Sequence, residues 1–200
     1  MVAVRPGERT RLTSEHAQRE VQKMRAEVDA IGIGSTTLLV DNPRLTVRGV
    51  QRARPFTRVV FDRRLRMRVT DRLIGTLDEG PIIVITTPSG LTTQPVAADQ
   101  LSESGVQIET VQNLESGLDV ALKLLGSLNI TSLLLEGGTT IHRAAWNGRL
   151  VDRLQRFVAP VDLGQGGVPW LDVPNSALSD LSVRQLGPDV LTEGYVYRVN

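Results

Sequence analysis

The stretch Asp29-Ala-Ile-Gly-Ile-Gly-Ser-Thr-Thr-Leu-Leu-Val-Asp-Asn-Pro-Arg-Leu-Thr-Val-Arg48 decides how this chain is read. Ala30 to Gly34 is an apolar run that reads as a buried strand ending in glycine. The hydroxyls of Ser35, Thr36 and Thr37 follow in a turn, then a corner at Asp41 to Pro43 and a short segment closed by Arg48. Glycine at the carboxyl end of a strand lets a ligand approach the backbone closely. Open α/β sheets bind their ligands just beyond such ends. The segment is therefore a candidate binding site, with Thr37, Asp41, Arg44 and Arg48 among its polar groups.

Working outward, Thr13 or Ser14 can cap a helix that runs to about Val28, with Val21, Met24 and Val28 on one face. Apolar or alternating runs predict strands at 57–61, 81–86, 106–110, 132–135 and 152–159. Leu114 to Leu128 has helical spacing, and a second helix follows Glu136-Gly-Gly-Thr-Thr140. The segments 62–80, 87–104 and 160–175 read as loops. Val183 to Leu186, a Gly187-Pro-Asp189 turn and Val190 to Val199 read as an antiparallel hairpin on one sheet edge. Strands alternating with helices predict an α/β fold: a mostly parallel central sheet flanked by helices, in one domain spanning 1–200.

With 200 residues, the chain is long enough for a proper core. A hydrophobic share of 40% and a net charge of +1 describe an ordinary globular protein, with no composition pointing to nucleic acid or a membrane. There is no cysteine, and His16 and His142 are the only histidines, so no metal site is expected. Met1 to Arg9 has no signal-peptide core, and the cytoplasm is the default location.

Glu136-Gly137-Gly138-Thr139-Thr140 joins a buried strand to a helix. The free amides of such a helix start suit a phosphate, although Gly-Gly turns are common in purely structural roles. Glu136 adds weight, because a carboxylate at the end of a buried strand needs a partner or a task. Arg25 and Arg48 could each be solvated charges, or together could clamp a phosphomonoester. Asp62-Arg63-Arg64 reads equally as solvated loop charge or as a 2′-phosphate site. His142 could face a cofactor or solvent, and His16 reads as exposed.

Taken in order, these pieces resemble the reductase domain of the bacterial bifunctional riboflavin-biosynthesis deaminase/reductase. The resemblance is carried by Thr13-Ser-Glu, Met24-Arg25-Ala-Glu-Val-Asp-Ala-Ile31, Gly34 to Arg48, Arg58-Val-Val-Phe-Asp62-Arg63, Leu135-Glu136-Gly-Gly-Thr-Thr140, Gly148-Arg-Leu-Val-Asp152-Arg153 and Leu186-Gly-Pro-Asp189-Val190. It implies a dihydrofolate-reductase-like fold, a homodimer and an NADPH-dependent reduction of the ribose of 5-amino-6-(5-phosphoribosylamino)uracil to a ribityl chain. It implies that Arg25 and Arg48 grip the substrate phosphate, with Thr13 and Leu45 lining the same side. Thr37 and Asp41 would meet the cofactor near the reaction centre, and Glu136 would meet the substrate there. Gly138, Thr139, Thr140, Ile141, His142, Arg143 and Ala144 would cradle the cofactor phosphates, and Arg63 would contact the cofactor. Hydride addition needs an electrophilic C1′, so the ribosylamine must open to an imine, and a nearby carboxyl group can assist that proton movement.

The sequence departs from the family in three ways. No zinc-deaminase motif is present. The family's first strand, of the form Lys-x-Ala-x-Ser-Leu-Asp-Gly, has no counterpart. Arg9 stands where the family has a phosphate-binding serine, and Arg11 where it has a tryptophan that touches the cofactor. Two alternatives follow: a remnant that binds a nucleotide or an assembly partner, and a reductase of another pyrimidine or a pterin.

Overall fold

Five short apolar runs line up as one sheet in the computed structural model, which describes residues 5, 7, 10, 12–52, 55–112, 114, 117–164 and 167–196. They are β1 (Ala30–Gly34), β2 (Thr57–Phe61), β3 (Ile82–Thr86), β4 (Gln107–Thr110) and β5 (Leu133–Gly137). Their order is β4-β3-β2-β1-β5, and every neighbour is parallel. Parallel strands need crossovers, and helices supply most of them. These are α1 (Glu15–Glu27), α2 (Ser35–Asp41), α3 (Pro88–Thr93), α4 (Pro95–Glu103), α5 (Leu118–Ser127) and α6 (Thr139–Asn147).

Strand alternation divides the core into two layers. Ile31, Ile33, Val60, Ile82 and Val84 face a cluster that includes Leu38 of α2 and Leu101 of α4, with Val28 packed against it. Ala30, Val59, Phe61, Ile83 and Ile85 face Leu118, Ala121 and Leu125 of α5 and Ile141 and Ala145 of α6. Both faces are covered, which is why β1 and β3 read as continuous apolar runs.

The hairpin is present but does not extend the parallel sheet. β7 (Ser179–Leu186) and β8 (Asp189–Tyr195) join β6 (Arg153–Val158) in a separate antiparallel sheet of order β6-β8-β7. Among the described residues, no strand bridges β5 and β6. Gly187 turns the hairpin with φ +64°, and a Cβ there would lie 2.7 Å from Nδ1 of His16. The hairpin end expected at Val199 lies outside the described residues, as do Arg9 and Arg11.

Three stretches expected as turns or loops contain helices. The Thr-rich turn after Gly34 is α2, closed by Asn42 at φ 41° with its amide on the Leu38 carbonyl. Thr87 caps α3 by accepting from the Gly90 amide, and Pro88 and Pro95 stand at the first positions of α3 and α4. Ile74–Glu79 is a 3-10 helix. The charged Arg58 inside β2 explains how that segment is held. Its side chain is fully buried and donates to the carbonyls of Thr76 at 2.7 Å, Gly80 at 2.5 Å and Pro81 at 3.2 Å. Burial pushes its guanidinium below its ordinary value, and Glu79 and Asp78 oppose the shift.

Candidate active site

The strand order reverses direction at β1, whose two neighbours are β2 and β5. The carboxyl ends of β1 and β5 therefore open the crevice where such sheets take ligands. β1 ends at Gly34 and runs directly into α2. β5 ends at Gly137, and Gly138 (φ +95°) turns the chain into α6. Thr37 seals the two ends together, since a Cβ on Gly137 would lie 2.9 Å from its Oγ1 and Cγ2. Gly34, Thr37, Gly137 and Gly138 thus meet at one rim.

Neither α2 nor α6 has a side-chain cap at its start, whereas Ser14 caps α1 and Thr87 caps α3. In α6 the first helical bond to Gly138 is made by the His142 amide. The amides of the preceding turn are left to point out of the helix start, as an anion site requires.

Glu136 owes its position to an irregularity. In the β1–β5 ladder Gly32 pairs with Leu135 and Ile33 with Gly137, so Glu136 is the extra residue. A bulge of this kind re-aims a side chain. Its carboxylate meets Arg25 of α1 in a two-bond fork, Nε to Oε1 and Nη2 to Oε2, each 2.5 Å. Both side chains are 16% exposed. The third Arg25 nitrogen, Nη1, donates to the Thr46 carbonyl at 2.8 Å. Three of the five guanidinium N–H groups are thereby used and two remain.

Arg48 stands beside this pair. Its Nε donates to Thr46 Oγ1 at 3.3 Å and its amide to Gln22 Oε1 at 2.8 Å. Arg25 and Arg48 thus both touch Thr46. Arg44 points elsewhere, to Glu79 at 2.9 Å. Leu45 has φ 50°, and its side chain is buried in the core. Thr13 sits by the β7–β8 turn, next to Ser14, whose amide donates to Asp189 Oδ2 at 2.7 Å. Asp41 is the last residue of α2 and is half-buried.

His142 faces neither solvent nor the rim. Its Nδ1 accepts from the Trp170 indole N–H at 2.9 Å, and its Nε2 lies 3.0 Å from the Leu135 carbonyl. The indole can only donate, so Nδ1 carries no proton and Nε2 donates. Burial pushes the imidazole below its ordinary value, which keeps it neutral.

Beyond β2, the Arg63 carbonyl accepts from Thr86 and Thr87 hydroxyls and its side chain is exposed. Arg66, which the sequence reading passed over, and Asp62 also serve this region. Arg66 Nη2 donates to Ser35 Oγ at 2.6 Å, reaching the first residue of α2. The buried Asp62 carboxylate holds the Arg66 and Met67 amides at 2.5 and 2.9 Å. The acidic residue opening Asp62-Arg63-Arg64 was the available signal for this turn. Among the described residues no cluster of potential metal ligands is present.

The sequence model of the RibD C-terminal domain matches residues 1–192. The chain belongs to that family. A riboflavin biosynthesis protein RibD of Actinobacillus pleuropneumoniae is 32% identical over 165 residues, covering 82% of this chain but 43% of that protein. The chain thus spans less than half the length of that relative. The 5-amino-6-(5-phosphoribosylamino)uracil reductase of Buchnera aphidicola is 29% identical, covering 94% of this chain and 96% of that protein. In fold, Acinetobacter baumannii RibD superposes with a TM-score of 0.77 at 24% identity, over 98% of this chain and 55% of that one. The family's fold is the one described above: a helix-flanked parallel sheet with a separate three-stranded antiparallel sheet.

Proposed function

We propose that this chain is an NADPH-dependent reductase that converts the ribose of 5-amino-6-(5-phosphoribosylamino)uracil to a ribityl chain. The observation that carries the reading is Glu136, the extra residue of β5, forked to Arg25 at the strand-order reversal. The family match and the Buchnera relative give the reaction class.

When bound, the cofactor would supply a hydride to C1′ of the opened ribosylamine. The amides from Gly138 into α6 would hold its phosphates, with Thr37 and Asp41 beside the reacting end and Arg63 near its ribose. Glu136 would hold or pass the proton that opens the ring to the imine, and Arg25 would keep that carboxylate aimed. Arg48, with the two N–H groups that Arg25 has left, would take the substrate phosphate. The reading extends to a homodimer working in the cytoplasm without nucleic-acid partners. Among the described residues no helix is long and apolar enough to cross a membrane.

The test is an assay of the 200-residue chain with NADPH and this substrate, with product identified by mass. NADPH oxidation matched by ribityl product is the expected result. Equal turnover with NADH would remove the cofactor assignment. Cofactor binding without turnover would favour a nucleotide-binding remnant. Absence of binding and turnover would reject both.

A further inference from the structure

The backbone that carries Glu136 is weakly fixed by its own sequence. Glu136 stands in the irregular step of the β1–β5 ladder, where Gly32 pairs with Leu135 and Ile33 with Gly137. A bulge interrupts the ladder bonds that fix an ordinary strand residue. The next two residues are glycines, and Gly138 turns at φ +95°. Glycine loses more freedom on ordering than any other residue. The segment 135–138 therefore depends on contacts from outside the ladder. Thr37, packed against Gly137, is one of them.

His142 is the other, and it holds the segment at both ends. Its amide donates to the Gly138 carbonyl and its Nε2 meets the Leu135 carbonyl, each at 3.0 Å. Leu135 to Gly138 are thereby bracketed by one residue of α6. The side-chain half of the bracket needs a proton on Nε2, since a carbonyl only accepts. Either nitrogen of a neutral imidazole can carry the proton, and the bond made by one nitrogen sets the state of the other. Here the deciding partner is Trp170. Its indole N–H reaches Nδ1 at 2.9 Å, with the two rings 81° apart. Trp170 is itself tethered through its loop. Val173 is buried, its carbonyl accepts from Arg156 Nη1 of β6 at 2.9 Å, and Asn175 Oδ1 accepts from Arg156 Nη2 at 2.6 Å.

We infer that His142 and Trp170 are positioning residues for Glu136. Trp170 fixes the imidazole tautomer, and His142 then holds the Leu135 carbonyl and with it the bulge that aims the carboxylate. The two side chains act through backbone rather than on the reacting atoms. The kinetic consequence rests on the reductase reading, because it assumes that Glu136 serves the reaction; the brace itself does not.

The test compares the 200-residue chain with its Trp170→Phe, His142→Leu and His142→Gln variants. Phenylalanine keeps an aromatic ring and drops the donor. Glutamine supplies one donor and one acceptor with no tautomer to set. Nitrogen NMR of the imidazoles reads the tautomer directly, with His16 as the one other histidine. The expected spectrum has the His142 proton on Nε2 in the parent, and a larger share of the Nδ1-protonated form in Trp170→Phe. Amide exchange in 135–138 should quicken in Trp170→Phe and His142→Leu, and return towards the parent in His142→Gln. In the assay, kcat of the first two variants should fall roughly ten- to a hundredfold with the Michaelis constant little changed, and His142→Gln should recover most of the loss. A parent with its proton on Nδ1 overturns the inference, as does a Trp170→Phe spectrum identical to the parent's. So does exchange in 135–138 that neither substitution alters, or a loss in His142→Leu that His142→Gln does not restore. If His142→Leu fails to fold, Trp170→Phe carries the comparison. A parent without turnover rejects the reductase reading alone, and the tautomer and exchange results then decide the brace.

Discussion

At the residue scale, Glu136 and Arg48 make separable predictions. Glu136→Gln keeps the side chain's size but removes the charge that holds Arg25, so turnover should fall while the Michaelis constant changes little. Arg48→Ala removes a charged hydrogen-bond donor worth about 1.5–3 kcal/mol, so the Michaelis constant should rise roughly ten- to a hundredfold. Steady-state kinetics on both variants decide this, and an unchanged Michaelis constant in Arg48→Ala would remove the phosphate assignment. His142 predicts a pH dependence of stability. Its folded form resists protonation, so its contribution is intact above the ordinary value of 6.5 and falls away as acid protonates the unfolded chain first. Melting temperature between neutral pH and about pH 5 should therefore drop less steeply in His142→Gln than in the parent. The sequence placed Glu136 and Arg25 at the site as separate signals. Their bond joins residues 111 apart, and no local pattern encodes a contact of that separation. Trp170, in a long loop, carried no periodic signal at all.

At the scale of elements, the parallel strands were legible because burial on both faces leaves continuous apolar runs. The misread stretches share a cause. The stretch 87–104 read as a loop, yet Pro88 and Pro95 each occupy the first position of a helix, where a missing N–H costs nothing. Ser35 to Thr37 read as a turn because β-branched and hydroxyl residues are poor helix formers, and packing of Leu38 overrode that preference. Asp29 shows how β1 and β5 are joined at their opposite ends. Its Oδ2 accepts from the amide and hydroxyl of both Thr131 and Ser132, at 2.8–3.0 Å. Those bonds, led by the two hydroxyls, hold its pKa at about 2. Because the folded value is depressed, this contribution is present above the ordinary carboxylate range and is lost as pH falls through about 2. Thr131 is exposed while Asp29 and Ser132 are half-buried, so solvent weakens the clasp. Asp29→Ala should nevertheless lower stability by about 1–2 kcal/mol at neutral pH, measured by urea unfolding. The difference from the parent should shrink in strong acid.

For the whole molecule, the outer antiparallel sheet is where assembly is expected. Val183 is 60% exposed, Val158 50%, Tyr195 45% and Leu181 43%. Val183 pairs across with Thr192 of β8, while Leu181 lies in the irregular stretch of β7 between Ser179 and Ser182. Isolated exposed apolar residues are ordinary, but several on one small sheet suit a self-complementary contact. The homodimer proposed above should then be sensitive to charge on this sheet. Val183→Lys places an ammonium where a monomer already exposes the side chain, so folding stability should change by less than about 0.5 kcal/mol. A dimer formed there would instead bury that charge without a partner, which association tolerates poorly. Light scattering should show the parent at twice the chain mass and Val183→Lys at the mass of one chain, with melting curves compared at low concentration to confirm an intact fold. A parent that stays monomeric at high micromolar concentration would reject the homodimer. A Val183→Lys variant that remains dimeric would move the interface to another face.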